Sequence, residues 1–192
     1  MTDTPIRDAA SVILLRDAQA TPRVLMGQRG KSAAFMPNKY VFPGGAVDAA
    51  DGARSVGSAC MARLGPLGPA LVCAALREVR EETGLRITAP ERLRYVFRAI
   101  TPPARPRRFD ARFFLADAAH CIEGDLDDFS QADDELGHLH WVPIREARAL
   151  NLPFITEVVL AEVEALARTQ SPPDSVPFFD NSTNVSRFAR IP

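Results

Sequence analysis

At 192 residues, 46% hydrophobic and 24% charged, the chain can bury one sizeable core but leaves little room for a second domain of ordinary size, so residues 1–192 read as a single domain. No apolar run is long enough to cross a bilayer, and the stretch Met1 to Asp8 has neither the basic end nor the apolar centre of a secretory signal; the expected compartment is the cytoplasm, with no membrane partner. A net charge of −1 argues against a polyanion-binding protein, and three scattered cysteines (Cys60, Cys73, Cys121) without a CxxC pair argue against a disulfide framework or a zinc knuckle.

In chain order, Val12 to Leu15 and Val24 to Met26 are short apolar runs split by the polar, proline-closed stretch Asp17 to Pro22, which predicts a hairpin. Tyr40 to Phe42 reads as a brief strand halted by Pro43-Gly44-Gly45, and Ala46 to Pro69 as a loop with a short helix near 56–64. Ala70 to Thr83 contains no proline or glycine and repeats Val72, Ala75, Leu76 and Val79 at helical spacing, with Gly84 as the stop. Leu93 to Ile100 and Phe109 to Leu115 read as strands around a proline-rich link, 117–135 as an acidic surface loop, and His138 to Val142 as a last strand. Leu152 to Thr169 holds a helical pattern, and 171–192 has the Ser/Pro/Asn composition of an irregular tail. Strands and helices in this alternation predict a mixed α/β layer fold with its core over about 12–170.

Chemistry concentrates in Arg77-Glu78-Val79-Arg80-Glu81-Glu82-Thr83-Gly84-Leu85. On a helix turning about 100° per residue, Glu78, Glu81 and Glu82 share one face, away from the apolar stripe. Two like charges about 4 Å apart repel by roughly 4 kcal/mol at an effective dielectric near 20, so such a trio calls for a positive partner. An all-oxygen cluster suits a hard divalent ion such as Mg²⁺ or Mn²⁺. Arginines at 77 and 80 can equally make ordinary pairs along a solvated helix face. A second charged feature is the segment 86–112, with eight arginines against two acids. Within it, Arg107, Arg108 and Arg112 fit either a clamp for an anionic substrate or a basic surface hairpin.

Together with Val41-Phe-Pro-Gly-Gly45 upstream, the segment Arg77 to Leu85 resembles the Nudix hydrolases, whose box runs Gly-x5-Glu-x7-Arg-Glu-U-x-Glu-Glu-x-Gly-U, U being apolar. The second half of the box matches at every specified position. The first half departs: six residues after Gly45 stands Asp51 in place of Glu, and 25 residues rather than seven separate it from Arg77, so an insertion at 52–69 loops out inside the box. Asp51 is therefore left outside the catalytic set. The resemblance implies an α/β/α sandwich with a mixed sheet and a catalytic helix. It also implies Glu78, Glu81 and Glu82 as metal ligands together with the Gly44 carbonyl, and Arg77 as their orienter. The cofactor it implies is Mg²⁺ or Mn²⁺. Family members also draw an acid from a loop before a late strand; here Asp128, Asp133, Asp134 and Glu135 compete, and Glu135 is the candidate. His138 and His140 read as strand positions and Trp141 as core.

A weaker resemblance, in Lys39 to Gly45, the swollen box and Thr101 to Leu115, points to the subgroup that contains the mammalian peroxisomal coenzyme A diphosphatase. The expected substrate is thus a nucleoside diphosphate linked to another moiety, with coenzyme A or acyl-coenzyme A leading. ADP-ribose or a dinucleotide is the alternative, as is a non-catalytic nucleotide-binding module. Nucleic acid is not expected as a partner, and a homodimer is common in the resembling family.

Overall fold

The opening hairpin is β1 (Ile6–Arg16) and β2 (Arg23–Arg29), whose turn places Asp17 at a φ of 56°. The computed structural model describes residues 4–53, 61–169 and 171–192. The pair is followed by β3 (Tyr40–Val41), β4 (Gly44–Ala46), a 3-10 turn at Ala49–Ala53, α1 (Met61–Leu64) and the long α2 (Gly68–Thr83). Next come β5 (Arg94–Ile100), β6 (Arg108–Asp117), α3 (Ala118–Cys121), β7 (Leu136–Pro143), α4 (Ile144–Ala147), α5 (Phe154–Leu166), β8 (Val176–Asp180) and β9 (Arg187–Ile191). Of the helix expected near 56–64, α1 is the described part; residues 54–60 lie outside the described residues.

These strands form one mixed sheet in the order β3-β2-β1-β6-β5-β8-β9, with β4 on β1 and β7 on β2. The β1·β6 and β5·β8 pairs are parallel and the others antiparallel. β1 and β2 pair only at Leu15–Val24 and Arg16–Arg23 before they part. The far end of β1 then takes β4, through Ala9–Ala46, Ala10–Gly45 and Ser11–Gly44. This fork carries the glycine pair to the edge of the sheet beside α2.

Alternation along β1 sorts the core into two layers. Val12 and Leu14 pack with Val72, Ala75 and Val79 of α2, while Ile13 and Leu15 pack with Val159, Leu160 and Val163 of α5. Helices on both faces of a mixed sheet make the expected α/β/α sandwich. α2 starts one residue before Pro69, which tolerates the first turn of a helix, and is capped by Gly84, whose φ of 77° glycine adopts without strain.

Two boundaries differ from expectation. The insertion read as 52–69 already includes the start of α2 at Gly68, because proline at a helix entrance is compatible with helix rather than a sign of loop. The tail 171–192 is not irregular: β8 joins β5 in parallel and β9 closes a hairpin on it. Its strand state rests on pairing with distant residues, which local composition does not report.

Candidate active site

α2 delivers its carboxylates at three depths. Glu82 is 1% exposed, and its Oε2 accepts a hydrogen bond from the Gly44 amide at 2.7 Å. Burial, with the charges of Glu78 and Glu135 adding to it, pushes the Glu82 carboxyl up to about 8 despite that bond. Glu78 is half-buried; burial raises its pKa as well, opposed by Arg77 and reinforced by Glu81 and Glu135. Glu81 faces solvent.

Arg77 ties this face together. Nη1 donates to Glu78 Oε1 at 2.7 Å and Glu81 Oε2 at 3.1 Å, and Nη2 donates to the Ala46 carbonyl at 3.0 Å. The other edge of the guanidinium grips Asp51 with two bonds, Nε to Oδ1 at 3.2 Å and Nη2 to Oδ2 at 2.9 Å. Asp51 is 5% exposed and also accepts the Asp48 amide at 2.9 Å. The bond to Asp51 is the main reason the Arg77 pKa is raised. Asp51 thus anchors the orienting arginine, a role the sequence reading withheld from it. The count of six from Gly45 was the available signal; the long insertion after it obscured that the 3-10 turn folds back onto α2.

Gly45 makes room for Glu78. A Cβ there would lie 2.5 Å from the Glu78 carboxyl carbon and closer still to Oε1, so any side chain at 45 would push the carboxylate off its present position beside the sheet. Gly44 packs equally tightly on β1, where a Cβ would meet Ser11 Cα at 2.6 Å. The observed contact of Gly44 with the carboxylates is through its amide.

The acidic loop closes the site from the other side. The Asp133 amide donates to the Glu81 carbonyl at 2.8 Å, pinning the loop on the end of α2. Of the four competing acids it is Glu135 that borders the same groove as Glu78, and it influences both Glu78 and Glu82. Asp133 instead caps the Glu135 amide at 2.9 Å, and Asp128 that of Ser130 at 3.0 Å. Arg29 holds Glu135 Oε1 at 3.0 Å and the Phe35 carbonyl at 2.9 Å; sequence reasoning did not single it out.

The groove has a volume of about 1140 Å³, larger than most drug-sized pockets. It runs from Gly44, Gly45, Glu78 and Glu135 past Arg7, Arg105 and Arg107 to an apolar end. Arg107 is exposed on it as the clamp reading requires. The other two candidates are not clamps. Arg108 is 2% exposed and donates to the carbonyls of Thr101, Asn181 and Ser182 at 2.9–3.1 Å, stapling the C-terminal hairpin. Arg112 is buried and bonded to Asp8 and the Asp110 carbonyl. Strand parity is the reason: Phe109, Ala111 and Phe113 of β6 face the groove, so Arg108, Asp110 and Arg112 face away. His138 and His140 are exposed strand residues, and Trp141 is core, its indole N–H on the Leu126 carbonyl at 2.9 Å.

The donor set fits a hard divalent cation in kind, being all oxygen and self-repelling around a buried carboxylate. It is not a preformed cage: among the described residues no three His, Cys, Asp or Glu side chains are gathered for a metal, since Glu78 and Glu81 lean on Arg77 and Glu82 on Gly44.

Comparison with known proteins shows the family and the fold. The NUDIX domain model matches residues 5–163. A Caenorhabditis elegans protein named as nudix hydrolase 7 is 44% identical over 82 residues, which make up 43% of this chain and only 23% of that protein. The crystal structure of a NUDIX hydrolase from Alicyclobacillus acidocaldarius is 29% identical, superposes with a TM-score of 0.67, and is covered over 95% of its length by 87% of this chain. The NUDIX domain of Shewanella oneidensis NrtR, solved with ADP ribose, shares the fold at 12% identity and a TM-score of 0.55, over 84% of this chain and 88% of that one. The chain belongs to the NUDIX domain family. No helix among the described residues is long and apolar enough to cross a membrane.

Proposed function

We propose that this chain hydrolyses a nucleoside diphosphate linked to another moiety, using Mg²⁺ or Mn²⁺, with coenzyme A or acyl-coenzyme A as the leading substrates. One observation carries the reading: Glu82 is buried beneath Gly44 and within electrostatic reach of Glu78 and Glu135, and Gly44, Glu78 and Glu135 line one end of a groove long enough for a substrate larger than a nucleotide. Glu78, Glu81 and Glu82, with a Gly44 oxygen, would hold the cation. When bound, a divalent cation neutralises the diphosphate and acidifies a water. Glu135, held by Arg29 on the border of the groove, would take a proton from the attacking water, and Arg107, exposed on the same groove, would meet the anionic substrate. Arg77, fixed by Asp51, keeps Glu78 and Glu81 in position.

The test is hydrolysis with either metal against coenzyme A, acyl-coenzyme A, ADP-ribose, NADH and diadenosine polyphosphates, with Glu82→Gln as control. The expected result is cleavage of at least one substrate, lost by about a thousandfold or more in the folded variant. Binding without cleavage in the wild type would replace this reading with that of a nucleotide-binding module. Sedimentation of the same preparation tests the homodimer that family resemblance implies, and cell fractionation tests the cytoplasmic location.

A further inference from the structure

The groove has a floor, and the floor has a direction. Ala46 of β4 pairs with Ala9 of β1, Ala9 with Ala111 of β6, Ala111 with Ala99 of β5, and Ala99 with Phe179 of β8. Residues opposite one another in a ladder share a face, and all five line the groove. Four alanines in a row leave a shallow trench across the sheet. At roughly 4.8 Å per strand it is about 19 Å long from β4 to β8. Glu78, Glu135 and the glycine pair stand at one end and Phe179 at the other.

Phe179 lies outside the stretch that matches the family model, on the hairpin of β8 and β9. Arg108 staples that hairpin by its Asn181 and Ser182 carbonyls, and Asn181 Nδ2 donates to the Ile100 carbonyl at 3.1 Å. Phe179 is therefore a fixed wall. Facing it is Phe154 at the start of α5, 67% exposed, its ring 6.2 Å from that of Phe179; Ile155 and Ile100 complete the surface. The two rings meet at 58°, and the Phe35–Phe109 pair at 71°, so neither pair offers parallel faces for a nucleobase to enter. The polar side chains on its border are engaged within the protein: Thr101 accepts the Phe109 amide, and Asn181 Oδ1 accepts the Ser186 hydroxyl.

We propose that the C-terminal hairpin is a specificity wall, and that Phe179 and Phe154 receive an alkyl or acyl chain carried by the end of the substrate farthest from the diphosphate. The occupant is part of the substrate because the apolar end is continuous, along the alanine floor, with the carboxylate site. The inference rests on the reading of that site as a diphosphate hydrolase and adds the chemical class of the remote group.

The test uses three probes with Mg²⁺: the β-octyl ester of ADP, its β-methyl ester, and diadenosine diphosphate. Affinity is read as KM where a probe is hydrolysed and by calorimetry where it is not, and turnover is scored separately. The octyl ester is expected to bind at least about tenfold better than the methyl ester, the scale on which burying a few methylenes acts. Phe179→Ala and Phe154→Ala each remove most of that ratio, while Val185→Ala, on the hairpin but away from the groove, keeps it. Phe154→Ala covers the case in which the strand substitution disturbs the hairpin. A wild-type ratio near one, a ratio untouched by both phenylalanine variants, or tighter binding of diadenosine diphosphate than of the octyl ester overturns the proposal. Hydrolysis with a ratio near one removes the wall and leaves the hydrolase; a phenylalanine-dependent ratio without hydrolysis does the reverse.

Discussion

Asp51→Asn separates the geometry of the site from its sequence motif. The substitution preserves shape but removes the charge that Arg77 grips through bonds of 2.9 and 3.2 Å, and it weakens the acceptor of the Asp48 amide. Breaking one side of a fully buried ion pair costs about 3–5 kcal/mol. Arg77 keeps a quarter of its side chain in solvent, so part of that cost is screened, and about 2–3 kcal/mol is expected. In a chain of this size each kcal/mol shifts the melting temperature by roughly 2–4 °C, which places the variant roughly 4–12 °C below the wild type. The released guanidinium then leaves Glu78 and Glu81 less well held, and loss of such a supporting contact lowers kcat by about 10–100-fold. Thermal melts by circular dichroism and steady-state kinetics on the best substrate of the panel read the two effects. A variant that melts within 1–2 °C of the wild type and turns over within about twofold would refute the assignment of Asp51 as the anchor of the box.

Glu82→Gln gives a pH signature in metal-free buffer. Because the folded pKa is raised to about 8, the contribution of this group to stability is complete below the ordinary carboxyl range and is lost as pH rises toward 8. The variant, which never ionises, is expected to melt above the wild type at pH 8 in EDTA, with the gap closing near pH 5; parallel melting curves would contradict the burial argument. Arg108→Met strips a buried cation from three carbonyls and should cost about 3 kcal/mol or more in urea unfolding, whereas a substrate clamp would raise KM and leave stability alone. Gly45→Ala puts a methyl where the Glu78 carboxylate lies, and that flexible end swings away; kcat should fall at least about tenfold with little change in stability, and unchanged kinetics would show that the position of Glu78 does not matter.

What was legible in the sequence was local. The apolar period of 70–83, its glycine stop and the spacing of Glu78, Glu81 and Glu82 are properties of neighbouring residues on one helix, and they foretold α2 and its carboxylate face within two residues. The apolar run Val12 to Leu15 likewise marked a strand from neighbouring residues alone, while its burial on two faces is seen only in the structure. Everything that depends on which distant strands pair was decided by the tertiary structure. Arg107, Arg108 and Arg112 are equivalent as letters; the register of β6 against β1 and β5 leaves the first on the groove and turns the other two into buried staples. The hairpin of β8 and β9 exists because β5 offers an edge, so a tail rich in proline and serine came to line the groove. Asp51 reaches Arg77 across an insertion because a chain that leaves and re-enters the fold at nearby points costs only the slowly growing entropy of a longer loop. Helical spacing is written in the sequence, since its contacts lie within four residues; the ends of the groove are not, since strand pairing brings them together from opposite ends of the chain.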